Sequence, residues 1–216
     1  SLSMSKPQHE RLSRINSRDG RLLMAGHFAE QLVAIAGGSP CYVYDRDAMT
    51  ERVLALRAVM PEDLQLHYAM KANPLPSVVD HMAALVDGLH VASQAELQLA
   101  LASGMDSEHI SFAGPAKQAR ELLAAVAAGI TINVESPTEL ERVVVAATQL
   151  AKKAKVAFRV NPDFELKTSG MKMGGGPKQF GIDAEQLPEL LAGLDDQWLD
   201  FQGFHIFAGS QNLQAE

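Results

Sequence analysis

The residue with most to offer chemically is Lys71, in the run Leu64-Gln65-Leu66-His67-Tyr68-Ala69-Met70-Lys71-Ala72-Asn73-Pro74. Residues 64–70 alternate, the pattern of a strand with two unlike faces. Leu64, Leu66, Tyr68 and Met70 point one way, and Gln65, His67, Ala69 and Lys71 the other. Asn73-Pro74 ends the run, which leaves Lys71 at the strand's C-terminal end. A lysine that faces inward there costs free energy if it stays charged and unpaired. Desolvation favours its neutral amine, a nucleophile able to form a Schiff base with a carbonyl. The same residues also suit a lysine that snorkels to solvent at the rim. Both readings stand at this point.

Other strand ends carry groups that could share a site with it. In Val156-Ala157-Phe158-Arg159-Val160, Arg159 lies on the face opposite Val156, Phe158 and Val160. A guanidinium there can meet an anionic ligand or pair with an inward acid such as Glu135. In Gly203-Phe204-His205-Ile206-Phe207-Ala208-Gly209-Ser210, His205 and Phe207 share a face, and Gly209-Ser210 offers N–H groups and a hydroxyl to an anion. His90 faces inward on its strand, where a hydrogen-bonded core histidine is the commoner outcome. His81 and His109 receive no role. No histidine, cysteine or carboxylate cluster has metal-ligand spacing, so no metal is expected.

The elements that must position these groups alternate between strand and helix. A helix is expected over Arg21 to Ala36, a short strand at Tyr42-Val43-Tyr44, and a helix capped by Asp45 and running to about Met60. Strands follow at Leu64–Met70, Leu89–Ala92, Ile110–Ala113, Ile130–Val134, Lys155–Val160 and Leu199–Ala208. Helices between them run from Ser77 to about Val86, Gln94 to Ser103, Lys117 to Ala128, from Ser136, and from Asp183 to near Gly193. Ser136-Pro137-Thr138-Glu139 reads as a capping box with proline at the first helical position. A long irregular loop occupies the stretch up to Gly181.

Strict alternation predicts parallel strands with helical crossovers, either an open doubly wound sheet or a (β/α)8 barrel. No Gly-x-Gly-x-x-Gly turn follows a strand, and Gly174-Gly175-Gly176 lies mid-loop, which weakens the dinucleotide reading. Polar residues at several strand ends (Lys71, Ser93, Glu135, Arg159, Ser210) favour the barrel. Only about six barrel strands can be counted, so the 216 residues read as part of a larger protein. Residues 1–36 form an N-terminal extension, with Ser1-Leu2-Ser3 a cloning remnant, and 37–216 a partial barrel.

Composition narrows the class. The chain is 47% hydrophobic with a net charge of −7, enough for a full core and adverse to nucleic acid. No apolar run is long enough for a membrane span, and no partnership with a membrane is expected. The single cysteine, Cys41, reads as a small buried hydrophobe and points to a reducing, cytoplasmic setting.

With these strand ends in place, the chain resembles the fold type III pyridoxal-phosphate decarboxylases, the diaminopimelate and ornithine decarboxylase superfamily with its alanine racemase-like barrel. Tyr68-Ala69-Met70-Lys71-Ala72-Asn73 matches that family's cofactor-lysine motif. Further matches are Val91-Ala92-Ser93 through Glu96-Leu97, Phe112-Ala113-Gly114-Pro115-Ala116-Lys117 and Asn133-Val134-Glu135-Ser136. Arg159-Val160-Asn161-Pro162, Phe180-Gly181-Ile182 and Gly209-Ser210-Gln211 complete a set in family order and spacing from about Gly37 onward. Asn161 to Lys167, Gly170 to Gly175 and Gly203 to Leu213 resemble a branch serving exosortase-associated, carrier-protein or siderophore pathways.

The resemblance implies a lyase of amino-acid metabolism that uses pyridoxal 5′-phosphate, takes a small amino-acid substrate and works as a homodimer. It implies that Lys71 forms a Schiff base with the cofactor and is the catalytic residue. Cofactor contacts are implied for Ala69, Lys71, His90, Ala113, Arg159, His205, Phe207 and Ser210. Ala69 and Ala113 leave room for the ring, Arg159 lies near its phenolic oxygen, and Ser210 contacts the phosphate.

Two residues depart from the pattern: His90 stands where an aspartate is common, and Phe207 where many members stack a histidine. Phe207 can stack through its π face but cannot donate a proton. The family's glycine-rich phosphate loop, its acid for the pyridine nitrogen and its C-terminal β domain have no counterpart in these residues. The 216 residues alone are therefore expected to lack turnover. The alternative from another class is a non-catalytic single-barrel pyridoxal-phosphate homeostasis protein, which also carries a cofactor lysine.

Overall fold

Short apolar strands set between capped helices order the chain in the computed structural model, which describes residues 14–161 and 181–206. Two compact units divide after Met60. In the first, β1 (Ile15–Arg18), β2 (Arg21–Met24) and β3 (His27–Phe28) form an antiparallel meander, followed by α1 (Ala29–Ala36) and α2 (Arg46–Val59). The expected helix over Arg21–Ala36 is thus a strand pair in its first half. Asp19 and Gly20 both adopt positive φ, 52° and 74°, as a two-residue hairpin turn of the Asp-Gly kind requires. Tyr42-Val43-Tyr44 is irregular and exposed rather than a strand, and Cys41 is half-buried rather than buried. Asp45 does cap α2, its carboxylate accepting from the Asp47 and Ala48 N–H groups at 3.0 and 3.3 Å. Arg14 pairs with Asp45 at 3.2 Å and with Glu51.

The second unit contains β4 (His67–Ala69), β5 (Gly88–Val91), β6 (Ile110–Phe112), β7 (Thr131–Val134), β8 (Ala154–Asn161), β9 (Ile182–Asp183) and β10 (Leu199–Ile206). Between them run α3 (Pro76–Ala83), α4 (Gln94–Ala102), α5 (Ala119–Ala128), α6 (Pro137–Leu150) and α7 (Leu187–Ala192). All the strands pair in parallel, in the order β4-β5-β6-β7-β8-β10, with β9 added to the end of β8. Spatial order follows chain order without a reversal. A doubly wound sheet must reverse at its switch point, so the described strands form an arc of a (β/α) barrel, with six main strands among the described residues.

The alternating strand pattern divides the two faces of the arc. Leu89, Val91, Ile110, Phe112, Ile132, Val134, Val156 and Phe158 are buried on one face. They pack with Val79, Leu97, Leu122, Val126 and Val143 of the helices in one continuous core. Burying each such side chain contributes roughly 1.5–3 kcal/mol. The other face carries Ala69, His90, Ser111, Asn133, Ala157, Arg159 and Asn161, which occupy the opposite phase of the same strands, with Glu135 just past the end of β7. One close approach requires glycine: a Cβ at Gly88 would lie 2.5 Å from the His109 carbonyl oxygen and 2.6 Å from the His67 ring.

Candidate active site

Lys71 is carried by a single 3-10 turn, Met70–Ala72, that follows directly on β4. The strand is shorter than the expected Leu64–Met70 and ends at Ala69. Met70 is fully buried in the core, while Lys71 emerges exposed on the other side. The burial expected of an inward lysine is therefore not found. The turn is held by the Tyr68 hydroxyl, which donates to the Asn73 carbonyl at 2.9 Å. Asn73 Oδ1 then accepts from the Leu75 N–H at 3.2 Å and leads into α3.

The next strands add a fixed imidazole. Ala69 pairs in register with His90, and His90 with Ser111. His90 Nδ1 lies 2.7 Å from Ser111 Oγ. Burial pushes the His90 pKa down to about 4, with help from His205, His67, Lys71 and Lys117. At neutral pH the ring is neutral, so it brings none of the charge of the aspartate common at that position.

On the other side of the arc, Arg159 Nη1 donates to Glu135 Oε1 at 2.7 Å, and the Glu135 side chain is only 2% exposed. The pairing of Arg159 with an inward acid, one of the two readings of its sequence position, is present. His205 pairs in register with Arg159. Its inward phase comes from a β-bulge: Phe201 opposes Val156 and Gly203 opposes Ala157, leaving Gln202 as the extra residue. The bulge keeps Phe201 against Phe158, with ring centroids 5.2 Å apart, and turns His205 to the Arg159 side. Burial lowers the His205 pKa, Arg159 lowers it further, and Glu135 opposes both.

The arrangement thus brings together Ala69, Lys71, His90, Arg159 and His205, and adds Ser111 and Glu135. Ala113 follows β6, its N–H donating to the Val91 carbonyl at 2.9 Å. Ser93 is taken up as the α4 cap, accepting from the Glu96 N–H at 3.2 Å. Phe207 and Ser210 lie outside the described residues, as do Phe180 and the segments from 162 to 175 and 209 to 213 that carry motif matches.

Lys117 is the residue whose position the sequence reading missed. It precedes α5 instead of starting it and is buried, with Nζ 2.8 Å from each of the Gly114 carbonyl, the Asn133 carbonyl and Glu139 Oε1. The capping box forms by half. Ser136 Oγ accepts from the Glu139 N–H at 3.1 Å, but the Glu139 carboxylate reaches back to the Glu135 N–H at 3.2 Å. Burial pushes the Glu139 pKa up, and the Lys117 ammonium draws it back. A lysine five residues past β6, with an acid, Glu139, in the first turn of the helix that follows the next strand, was the available signal.

A primary amine, a guanidinium, an acid and two imidazoles thus lie toward the C-terminal ends of neighbouring strands, where barrel folds place ligand-binding groups. The chain belongs to the pyridoxal-dependent decarboxylase family. The family model described as "Pyridoxal-dependent decarboxylase, pyridoxal binding domain" matches residues 46–216. The diaminopimelate decarboxylase of Aquifex aeolicus is 38% identical over 201 residues, 91% of this chain and 47% of that protein. The L-glutamyl-(BtrI acyl-carrier protein) decarboxylase of Niallia circulans is 36% identical over 180 residues, covering 82% and 42%. The diaminopimelate decarboxylase of M. jannaschii, solved with L-lysine, superposes with a TM-score of 0.79 at 29% identity, covering 92% of this chain and 48% of that one. The chain spans about half the length of these relatives.

Pyridoxal 5′-phosphate is the cofactor that this family implies. The inner face fits a group rich in hydrogen-bonding atoms, because Glu135 Oε2 and His205 Nδ1 are buried beside Arg159 without hydrogen-bond partners among the described residues. Ala69 and Ala113 add no bulk at the ends of β4 and β6. Among the described residues no group of three or more His, Cys, Asp or Glu could hold a metal ion. No described helix is long and apolar enough to cross a membrane.

Proposed function

We propose that this chain supplies the pyridoxal-phosphate-binding barrel of an amino-acid decarboxylase, with Lys71 as the catalytic residue that anchors the cofactor. The observation that carries the reading is the exposed Lys71 amine on its turn at the β4 end, beside the fixed His90 ring and within the matched domain. Bound pyridoxal phosphate supplies the electron sink for the pair left when a carboxylate departs as carbon dioxide.

The chain's own groups do the rest. Lys71 offers a nucleophilic amine, and the turn closed by Tyr68 and Asn73 fixes where it stands. Arg159, aimed by Glu135, offers a permanent cation to an anionic oxygen of the ligand. His205 offers its inward Nδ1 beside that cation. His90, locked by Ser111 and neutral, brings no competing carboxylate to the neighbourhood of Lys71. Ala69 and Ala113 leave space, and Phe207 and Ser210 are assigned stacking and phosphate contact by the resemblance alone. That resemblance also supports a homodimer, and the single cysteine supports a cytoplasmic setting.

Borohydride reduction of the cofactor-loaded full-length protein, followed by peptide mapping, should place the pyridoxyl group on Lys71. A label on another lysine overturns the assignment. Carbon dioxide release across diaminopimelate, basic and acidic amino acids, free or carrier-bound, then identifies the substrate. Cofactor labelling without release from any of them would favour the homeostasis alternative.

A further inference from the structure

We infer that the buried Lys117–Glu139 pair is a positioning device for Arg159, acting through the backbone of Glu135. The inference rests on the reading of Arg159 as a cofactor-facing residue. Lys117 Nζ has three acceptors, each at 2.8 Å, and they belong to three different segments: Gly114 beyond β6, Asn133 in β7 and Glu139 in the first turn of α6. An ammonium has three protons to donate, so this one is fully used. It ties the ends of two adjacent strands to the helix that follows them.

The same carboxylate oxygen of Glu139 accepts from the Glu135 N–H at 3.2 Å. Glu135 is the residue whose side chain holds Arg159 at 2.7 Å. Glu135 sits just past β7, where no strand ladder fixes its backbone, since the β7–β8 register ends at Val134 opposite Phe158. The Glu139 carboxylate replaces that missing ladder bond. Ser136 Oγ holds the Glu139 N–H, and Arg142 donates to the Lys117 carbonyl at 2.7 Å, so both ends of the pair are anchored in turn.

A buried ion pair is poor evidence of stabilisation, because desolvation offsets most of its Coulomb gain. A positional role accounts for it better: two charges and four hydrogen bonds converge behind one carboxylate that aims one guanidinium. Lys117 is thereby unavailable as an amine, although it belongs to one of the matching motifs.

The test is a double-mutant cycle on the cofactor-binding full-length protein, read as the dissociation constant of pyridoxal phosphate and the absorbance of the bound cofactor. Glu139→Gln, and separately Lys117→Met with Glu139→Leu, are each made in the parent and in an Arg159→Ala background. Coupled neighbours depart from additivity, so each change should weaken binding about fivefold or more in the parent and by less than about twofold once Arg159 is gone. Equal weakening in both backgrounds would reduce the pair to a structural brace and overturn the inference. If one change prevents folding, the other is read in the same two backgrounds. A parent that binds no pyridoxal phosphate at Lys71 would instead overturn the functional reading, which separates the two failures.

Discussion

The imidazole rings of His90 and His205 lie 5.8 Å apart at an interplanar angle of 56°, although β6, β7 and β8 separate their strands in the sheet. Four strand spacings in a flat sheet would hold them roughly 19 Å apart. The sheet must therefore curl until inward side chains of β5 and β10 meet across the bore. Curvature converts residues 115 positions apart in the chain into neighbours, and it places the Lys71 side of the site against the Arg159 side.

That closeness has a pH signature. His90 has a folded-state pKa of about 4 against an ordinary 6.5. The folded state thus binds fewer protons than the unfolded state between these values, and stability rises with pH across the window. The contribution is complete above pH 6.5 and is lost as pH falls toward about 4, up to about 3 kcal/mol. His205 is shifted in the same direction by burial and Arg159. Urea unfolding at about pH 5 and about pH 7.5 should show the parent losing stability on acidification and His90→Asn losing less. Parallel losses in the two proteins would remove His90 as the source.

A second outcome concerns the Arg159–Glu135 pair, which is nearly dry, with side-chain exposures of 13% and 2%. Removing one partner strands the other charge, so Arg159→Ala should cost about 3–5 kcal/mol in unfolding free energy. Arg159→Met with Glu135→Gln removes both charges and should cost clearly less than the single change. Denaturant midpoints of the two variants decide it, and a single change as mild as the double one contradicts the pair's burial.

Gly88→Ala isolates packing from chemistry. The added methyl would meet a backbone oxygen at 2.5 Å and the His67 ring at 2.6 and 2.7 Å, and the backbone of His109 cannot yield as a flexible side chain could. Overpacking of this kind costs roughly 1–3 kcal/mol. The melting temperature should fall while the cofactor stoichiometry of the folded fraction stays at that of the parent.

Much of the barrel was legible because its strands carry two unlike faces. Leu89, Ile110, Ile132, Val156 and their neighbours announce the core, and caps such as Asp45 and Ser136 announce their helices. The misreadings have local causes. Leu22, Leu23 and Met24 suit either an amphipathic helix or a strand, and the Asp19-Gly20 turn decided for the strand. Lys71 was placed correctly at a strand end, but a 3-10 turn intervenes and leaves it exposed. Glu139 fitted a capping box by spacing alone; the tertiary neighbour Lys117, 22 residues earlier, redirects its carboxylate. The bulge in β10 was invisible because Leu199, Phe201, Gly203 and His205 are spaced as one face, and only the register against β8 reveals the slip.

That slip yields the last expectation. With Gln202 as the extra residue, Leu199 and Phe201 face the core, whereas Phe204 opposes Phe158 and His205 opposes Arg159 beyond the bulge. Deleting Gln202 joins Phe201 directly to Gly203, and simple alternation then puts Leu199, Phe201, Phe204 and Ile206 on one face and Gly203 and His205 on the other. The side-chain phase is preserved without the bulge. Inserting one alanine between Gly203 and Phe204 instead moves every later residue to the wrong face, because the strand period is two. The deletion should therefore fold cooperatively with a loss below about 2 kcal/mol, within the common range for single changes, and keep its cofactor. The insertion should turn His205 away from Arg159 and abolish cofactor retention. Urea unfolding together with cofactor absorbance on the two full-length variants measures both effects, and a deletion as damaging as the insertion would mean that the bulge itself, rather than the phase it sets, is what the site requires.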